Sequence, residues 1–158
     1  MTDEQNKFML EAIRLSEQGM NLNEGGPFGC VIVWGNEIIG RGNNKVTSTN
    51  DPTAHAEVTA IRDACRKLST FQLDDCELFT SCEPCPMCLG AIYWAKLKKI
   101  YYACSRTDAA TIGFSDDLIY QEIPKDLHLR LIPIEQVMRA EALKVFNNWL
   151  QKPDKITY

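Results

Sequence analysis

Two short stretches of this 158-residue chain, Thr53-Ala54-His55-Ala56-Glu57 and Ser81-Cys82-Glu83-Pro84-Cys85-Pro86-Met87-Cys88, together supply one imidazole, one carboxylate and a Cys-x-x-Cys pair. His55, Cys85 and Cys88 offer three ligands to a tetrahedral zinc and leave a position for water, and Glu57 is a proton carrier for that water. The same residues allow other chemistry. Cys82 with Cys85, Cys88 and His55 makes a closed, four-ligand structural site, and a Cys-x-x-Cys pair can be a redox couple, although a couple leaves His55 and Glu57 without a task. Alone, Glu57 reads as a solvated helix residue and His55 as a capping or core histidine. Their combination with the cysteines points to metal-assisted hydrolysis.

The elements that must position these residues follow from apolar periodicity. Phe8, Met9, Ala12 and Ile13 recur at helical spacing, which predicts an amphipathic first helix that stops before Gly25-Gly26-Pro27. Phe28 to Trp34, the turn signal Gly35-Asn36 and Glu37 to Arg41 predict a hairpin, followed by a polar loop from Asn43 to Asp51. Val58, Ile61, Cys65 and Leu68 place an apolar stripe on a second helix that begins near His55 and Glu57. Glu77 to Ser81 reads as a strand, Pro86 opens a third helix with Cys85 and Cys88 at its start, and Lys99 to Ser105 reads as the next strand. Leu127 to Ile132 is expected as a last strand, and Val137, Met138, Ala142, Val145, Phe146 and Trp149 mark a closing helix.

Strands alternating with helices predict a layered α/β fold with both halves of the metal site at helix starts. Unsatisfied N–H groups there carry partial positive charge, which favours thiolates over thiols. Cys85 and Cys88, three apart, share a helical face, whereas His55 and Glu57, two apart, would diverge on a regular helix. Spacing alone leaves the direction of Glu57 open.

Composition sets the frame. With 45% hydrophobic and 24% charged residues, the chain suits one compact domain. No positive segment precedes an apolar run, and nothing approaches the roughly 18 apolar residues of a membrane span, so a soluble cytoplasmic protein is expected. Seven cysteines fit reduced thiols and metal ligands; Cys30, Cys65, Cys76 and Cys104 are read as buried small hydrophobes. His128 receives no role. A formal charge of -4 argues against a nucleic-acid partner, because phosphate neutralisation needs Lys and Arg. Lys96, Lys98 and Lys99 read as a solvated edge.

His55-Ala56-Glu57 with Pro84-Cys85-Pro86-Met87-Cys88 resembles the signature of the zinc-dependent nucleobase and nucleoside deaminases. Gly25-Gly26-Pro27-Phe28-Gly29, Asn44, Asp51-Pro52, Gly90-Ala91-Ile92-Tyr93-Trp94 and Thr107-Asp108-Ala109-Ala110 extend the resemblance over nearly the whole chain, towards the short, cytidine-deaminase-like guanine deaminases of bacteria. The resemblance implies a three-layer α/β/α sandwich around a mixed five-stranded sheet. A single deaminase domain over residues 1–158, one zinc per chain, and a homodimer whose C-terminal segments are exchanged are implied with it. It implies His55, Cys85 and Cys88 as ligands, and Glu57 and Asp116 as catalytic residues that move protons. Asn44 would hold the base, Phe28 and Trp94 would lie along its ring, Ala56 would contact it, and Tyr158 would cap the partner's pocket. The implied reaction converts guanine to xanthine and ammonia by attack of water at C2, in purine catabolism or salvage.

The core motif is shared by enzymes of guanosine, cytosine and tRNA adenosine, so the substrate rests on the outlying matches. Read without the resemblance, Asn44 serves a loop equally well, Phe28 and Trp94 a core, Asp116 with Asp117 a helix cap, and Tyr158 a frayed end. A zinc-stabilised binding module without catalysis is the reading from another class.

Overall fold

Thr2 opens the first helix, α1 (Asp3–Asn21), through a capping box in which its hydroxyl accepts the Gln5 N–H and the Gln5 side chain accepts the Thr2 N–H. The computed structural model describes residues 2–158. Beyond α1, Asn23 takes a left-handed backbone at φ 56° and turns the chain back. The hairpin follows as β1 (Gly29–Trp34) and β2 (Glu37–Asn43), with Gly35 at the positive φ of 59° that such a short turn requires. The polar loop after it contains one unexpected turn of helix, α2 (Val46–Thr49). Then come α3 (Ala56–Leu68), β3 (Cys76–Cys82), α4 (Pro86–Trp94), β4 (Lys99–Cys104) and α5 (Arg106–Thr111).

The sheet has the order β2-β1-β3-β4, with β1 antiparallel to β2 and β3, and β3 parallel to β4. Side chains alternate along β1 and so feed two cores. Cys30 and Ile32 pack with Ala56, Ala60 and Ala64 of α3 and Ile92 of α4, whereas Val31 and Val33 pack with Phe8 and Met9 of α1 and Phe79 of β3. Helices therefore cover both faces of the sheet, and β1 and β3 are buried along most of their length.

The helix α3 sits closer to the sheet than its expected stripe implies. Val58, Ile61, Cys65 and Leu68 are only partly buried; the buried row is Ala56, Ala60 and Ala64. These small residues face glycines. A Cβ on Gly40 would lie 2.5 Å from the Ala60 carbonyl oxygen, and one on Gly42 would lie 2.2 Å from that of Ala56. Large apolar side chains at those positions would hold the two backbones apart; Ile61, Cys65 and Leu68 of the expected stripe pack, partly buried, against the same core.

Two further expectations are corrected. The sheet has four strands among the described residues, not five. Leu127 to Ile132, expected as the last strand, instead begins with a 3-10 turn (Leu127–Leu129), and Leu127, Leu129, Leu131 and Ile132 are 55–77% exposed. A strand exists only when its backbone pairs with a neighbour, which apolar alternation does not guarantee. Of the cysteines read as buried, Cys30 and Cys76 are, Cys65 is half-buried, and Cys104 is exposed at the end of the edge strand β4.

Residues from Asp117 to Tyr158 form a second compact unit, distinct from the one that ends at Asp116. It holds α6 (Asp117–Glu122), the 3-10 turn and α7 (Arg139–Gln151). Within it, Arg130 donates to the carbonyls of Ile123 at 3.0 Å and Lys125 at 3.3 Å, and the Leu131 N–H donates to Glu122 at 2.6 Å. No helix among the described residues is long and apolar enough to cross a membrane.

The glycine seam generates a prediction. Gly42→Val forces β2 and the first turn of α3 apart and lowers stability by about 2 kcal/mol, read as a lower midpoint in urea unfolding; an unchanged midpoint would contradict the seam.

Candidate active site

Both halves of the site begin at helix N-caps. His55 caps α3 and Cys85 caps α4, each with extended backbone (φ -70°, ψ 159° and φ -65°, ψ 167°), and Pro86 occupies the first helical position, where its missing N–H costs nothing. Ahead of His55, the Asp51 carboxylate accepts the Thr53 N–H at 2.8 Å and its hydroxyl at 2.6 Å, and the Ala54 carbonyl accepts the Lys45 N–H at 2.9 Å. Those bonds fix the approach to the helix. Because His55 is extended rather than helical, the divergence expected of residues two apart on a helix does not apply to it and Glu57.

The donors converge on one nitrogen. His55 Nδ1 lies 3.5 Å from Cys85 Sγ and 3.4 Å from Cys88 Sγ, and the three ligand atoms all lie within 4.8 Å of one another. Tetrahedral zinc, with bonds of about 2.3 Å to sulfur and 2.0–2.1 Å to nitrogen, separates such donors by about 3.6 Å. The donor set and its spacing therefore fit zinc, with Nδ1 as the facing nitrogen. Cys82 does not join them. Its thiol points to the Ser105 carbonyl at 3.7 Å, and burial pushes its pKa up to about 11. The closed alternative of three cysteines and a histidine accordingly has no fourth ligand here.

The charges are arranged for a cation. The Cys88 thiol beside Cys85, against the opposing effect of burial and with help from His55, holds the Cys85 thiol down at about 4. Cys88, hydrogen-bonded to that thiolate and buried, is pushed far up. The pair therefore favours one thiolate beside one thiol. His55 is raised by its bond to Cys85. Glu57, 6% exposed, has its carboxyl raised first by burial, with its own backbone N–H and Cys88 opposing. The hydroxyl of Thr80, from the middle of β3, donates to Glu57 Oε1 at 3.2 Å.

The remaining expected residues lie at varied positions. Asn44 is 5% exposed; its N–H donates to the Phe28 carbonyl at 3.0 Å, and its Oδ1 accepts the Val46 N–H at 3.1 Å. Phe28 meets Phe114 edge to face, with centroids 5.0 Å apart, and a Cβ on Gly26 would lie 2.8 Å from Phe114. Ala56 is fully buried in the first turn of α3. Asp116 is half-buried at the end of the first unit. Trp94 ends α4 at 67% exposure, and Tyr158 is 71% exposed. Thr80 and Phe114 were not foreseen. Thr80 carried one signal, a hydroxyl inside an apolar strand run, while nothing local distinguished Phe114.

Residues 2–104 match the cytidine and deoxycytidylate deaminase zinc-binding region. The chain is 55% identical over 151 residues to guanine deaminase of Bacillus subtilis (strain 168), covering 96% of this chain and 97% of that one. A crystal structure of guanine deaminase from Bacillus subtilis matches with a TM-score of 0.95 at 53% identity, covering 100% of this chain and 99% of the other. A tRNA-specific adenosine deaminase of Streptococcus pyogenes serotype M18 is 42% identical over 151 residues, covering 95% of this chain and 92% of that one.

The cluster makes a metal prediction. Purified protein contains one zinc per chain; Cys85→Ser and Cys88→Ser each weaken zinc binding by at least about 100-fold, while Cys82→Ser keeps its zinc. Elemental analysis after dialysis against a chelator checks all three, and loss of zinc from the Cys82 variant would return that residue to the ligand set.

Proposed function

The chain belongs to the zinc-dependent cytidine and deoxycytidylate deaminase family, and on that premise we propose that it hydrolyses guanine to xanthine and ammonia. The observation that carries this reading is the buried carboxylate of Glu57 beside three donors spaced for zinc, in a chain that matches a guanine deaminase over nearly its whole length. Held by His55, Cys85 and Cys88, zinc supplies the Lewis acidity that lets a water give up its proton near neutral pH.

Glu57 takes that proton and passes it to a ring nitrogen as the water oxygen adds to C2, then takes the remaining proton of that hydroxyl and delivers it to the 2-amino group, which leaves C2 as ammonia. Burial, which raises its proton affinity, suits a carboxyl that must hold a proton between steps. Thr80 keeps one carboxyl oxygen in place. Asp116 is the second residue that moves protons.

Recognition of the base falls to the loop after β2. Asn44 commits Oδ1 to the Val46 N–H, which fixes the amide's orientation. The Nδ2 donor and the second lone pair of Oδ1 then meet the purine edge. Ala56, in a first helical turn whose N–H groups lack intrahelical acceptors, offers its backbone N–H to the base. Phe28, held edge-on by Phe114, flanks the ring, and Trp94 is assigned to the same ring.

The C-terminal unit supports a homodimer with exchanged segments, in which Tyr158 caps the partner's pocket. Along α7, Val145, Phe146, Trp149 and Leu150 are all exposed, as are Ile156 and Tyr158 beyond it. A single helix presenting that much apolar surface calls for cover, and a second copy of the chain carries the same surface.

Ammonia release tests the substrate: guanine turns over at least about 100-fold faster than guanosine, cytosine or an adenosine-containing tRNA stem-loop, and inert guanine with another substrate fast overturns the assignment. Glu57→Gln keeps zinc and fold yet loses about 10²- to 10⁴-fold in kcat; near-normal turnover would remove Glu57 from the proton path. For the dimer, inactive Glu57→Gln chains mixed with chains lacking residues 152–158 form hybrids that recover turnover. Dimers that mix without recovery speak against the exchange.

A further inference from the structure

The left-handed turn at Asn23 lays Glu24 across the loop that carries Asn44. Glu24 meets both neighbours of that asparagine: its Oε2 accepts the Asn43 Nδ2 proton at 2.6 Å, and its Oε1 lies 3.8 Å from Lys45 Nζ. Its backbone carbonyl accepts the Thr47 hydroxyl at 2.9 Å and the Ser48 N–H at 3.1 Å, further along the same loop. Close packing adds to these bonds. A Cβ on Gly25 would lie 2.1 Å from Asn44 Oδ1, and one on Gly19 would lie 2.3 Å from Asn43 Nδ2. The Asn43 amide is thereby wedged between α1 and Glu24, and also donates to the Asn44 carbonyl at 3.3 Å.

From this geometry we infer that Glu24 is a positioning residue for substrate recognition, holding the Asn44 amide in the orientation that reads the base. The inference rests on the reading that Asn44 holds the substrate. An amide presents a donor at one end and an acceptor at the other, so a small rotation or a flip exchanges its message. Asn44 takes its orientation from the Val46 N–H, and Val46 takes its place from a loop whose two sides Glu24 ties together. Without the carboxylate's tie to Asn43 the start of the loop samples other conformations, although the backbone bonds to Thr47 and Ser48 remain, and binding must order it again. The bond to Asn43 matters more than the ion pair, because the carboxylate and Lys45 are 29% and 38% exposed and a solvated pair at 3.8 Å contributes little. Gln in place of Glu24 can still accept from Asn43.

Steady-state kinetics on guanine, with zinc content measured on the same samples, tests this. Glu24→Ala raises KM about 10-fold and changes kcat less than about 3-fold with full zinc, as expected when a binding interaction alone is weakened. Glu24→Gln restores KM to near the parent value, and Asn43→Ala reproduces the Glu24→Ala split should the latter fold poorly. Asn44→Ala, run in parallel, raises KM at least as much, and combining it with Glu24→Ala adds little more. A KM raised by Asn44→Ala but unmoved by both Glu24→Ala and Asn43→Ala overturns the positioning role while sparing the substrate reading. An Asn44→Ala variant with unchanged KM overturns both. Loss of zinc or of kcat in Glu24→Ala without rescue by Gln makes Glu24 structural and overturns the proposal.

Discussion

Everything at the site depends on how closely α3 approaches β2. A helix that packed on the sheet through its larger side chains would stand further off, and its N-cap histidine would move with it. Gly40 and Gly42 facing Ala56, Ala60 and Ala64 remove that bulk, so backbone meets backbone and the position of His55 is set by close packing rather than by a flexible loop. The same device recurs on the other face, where a Cβ on Gly29 would lie 2.1 Å from the Ala12 carbonyl of α1. The sheet is clamped between helices at the strands that lead into the site, and Ser81, which accepts the Gly29 N–H at 3.0 Å, ties β1 to the end of β3.

With the backbone so placed, electrostatics follows. Two helix N-termini present their partial positive charge to a thiolate, a neutral thiol and an imidazole, while Glu57 sits buried next to them. In the protein alone the pair favours one thiolate beside one thiol, and burial raises the proton affinity of Glu57. A dication held by His55, Cys85 and Cys88 would add positive charge beside Glu57 and favour its carboxylate, opposing the effect of burial.

Legibility varied with the range of the interactions involved. The hairpin, β3 and the proline-opened α4 rest on local signals, namely an apolar run, a turn pair and a residue that fits only a first helical turn, and they appear within a residue or two of their expected bounds. The helix α2 had no such signal; it is one turn long and is stapled to Glu24 from another part of the chain. Leu127 to Ile132 carried the alternation of a strand without a pairing edge, and its apolar residues lie open on the surface. The buried row of α3 carries no local signal, because its alanines become distinctive only opposite Gly40 and Gly42.

Local sequence determined the chemistry on offer: the ligand types, the three-residue spacing that puts two sulfurs on one helical face, and the helix starts that stabilise a thiolate. Tertiary structure decided which atoms face one another. His55 and Cys85 are thirty residues apart in a chain whose spacing says nothing of their separation in space. Only the packed sheet turns Nδ1 towards both sulfurs, swings Glu57 inward against Thr80, and sends the Cys82 thiol to the Ser105 carbonyl instead. Those choices depend on contacts between distant segments, and they are settled by which side chains are small enough to let backbones touch.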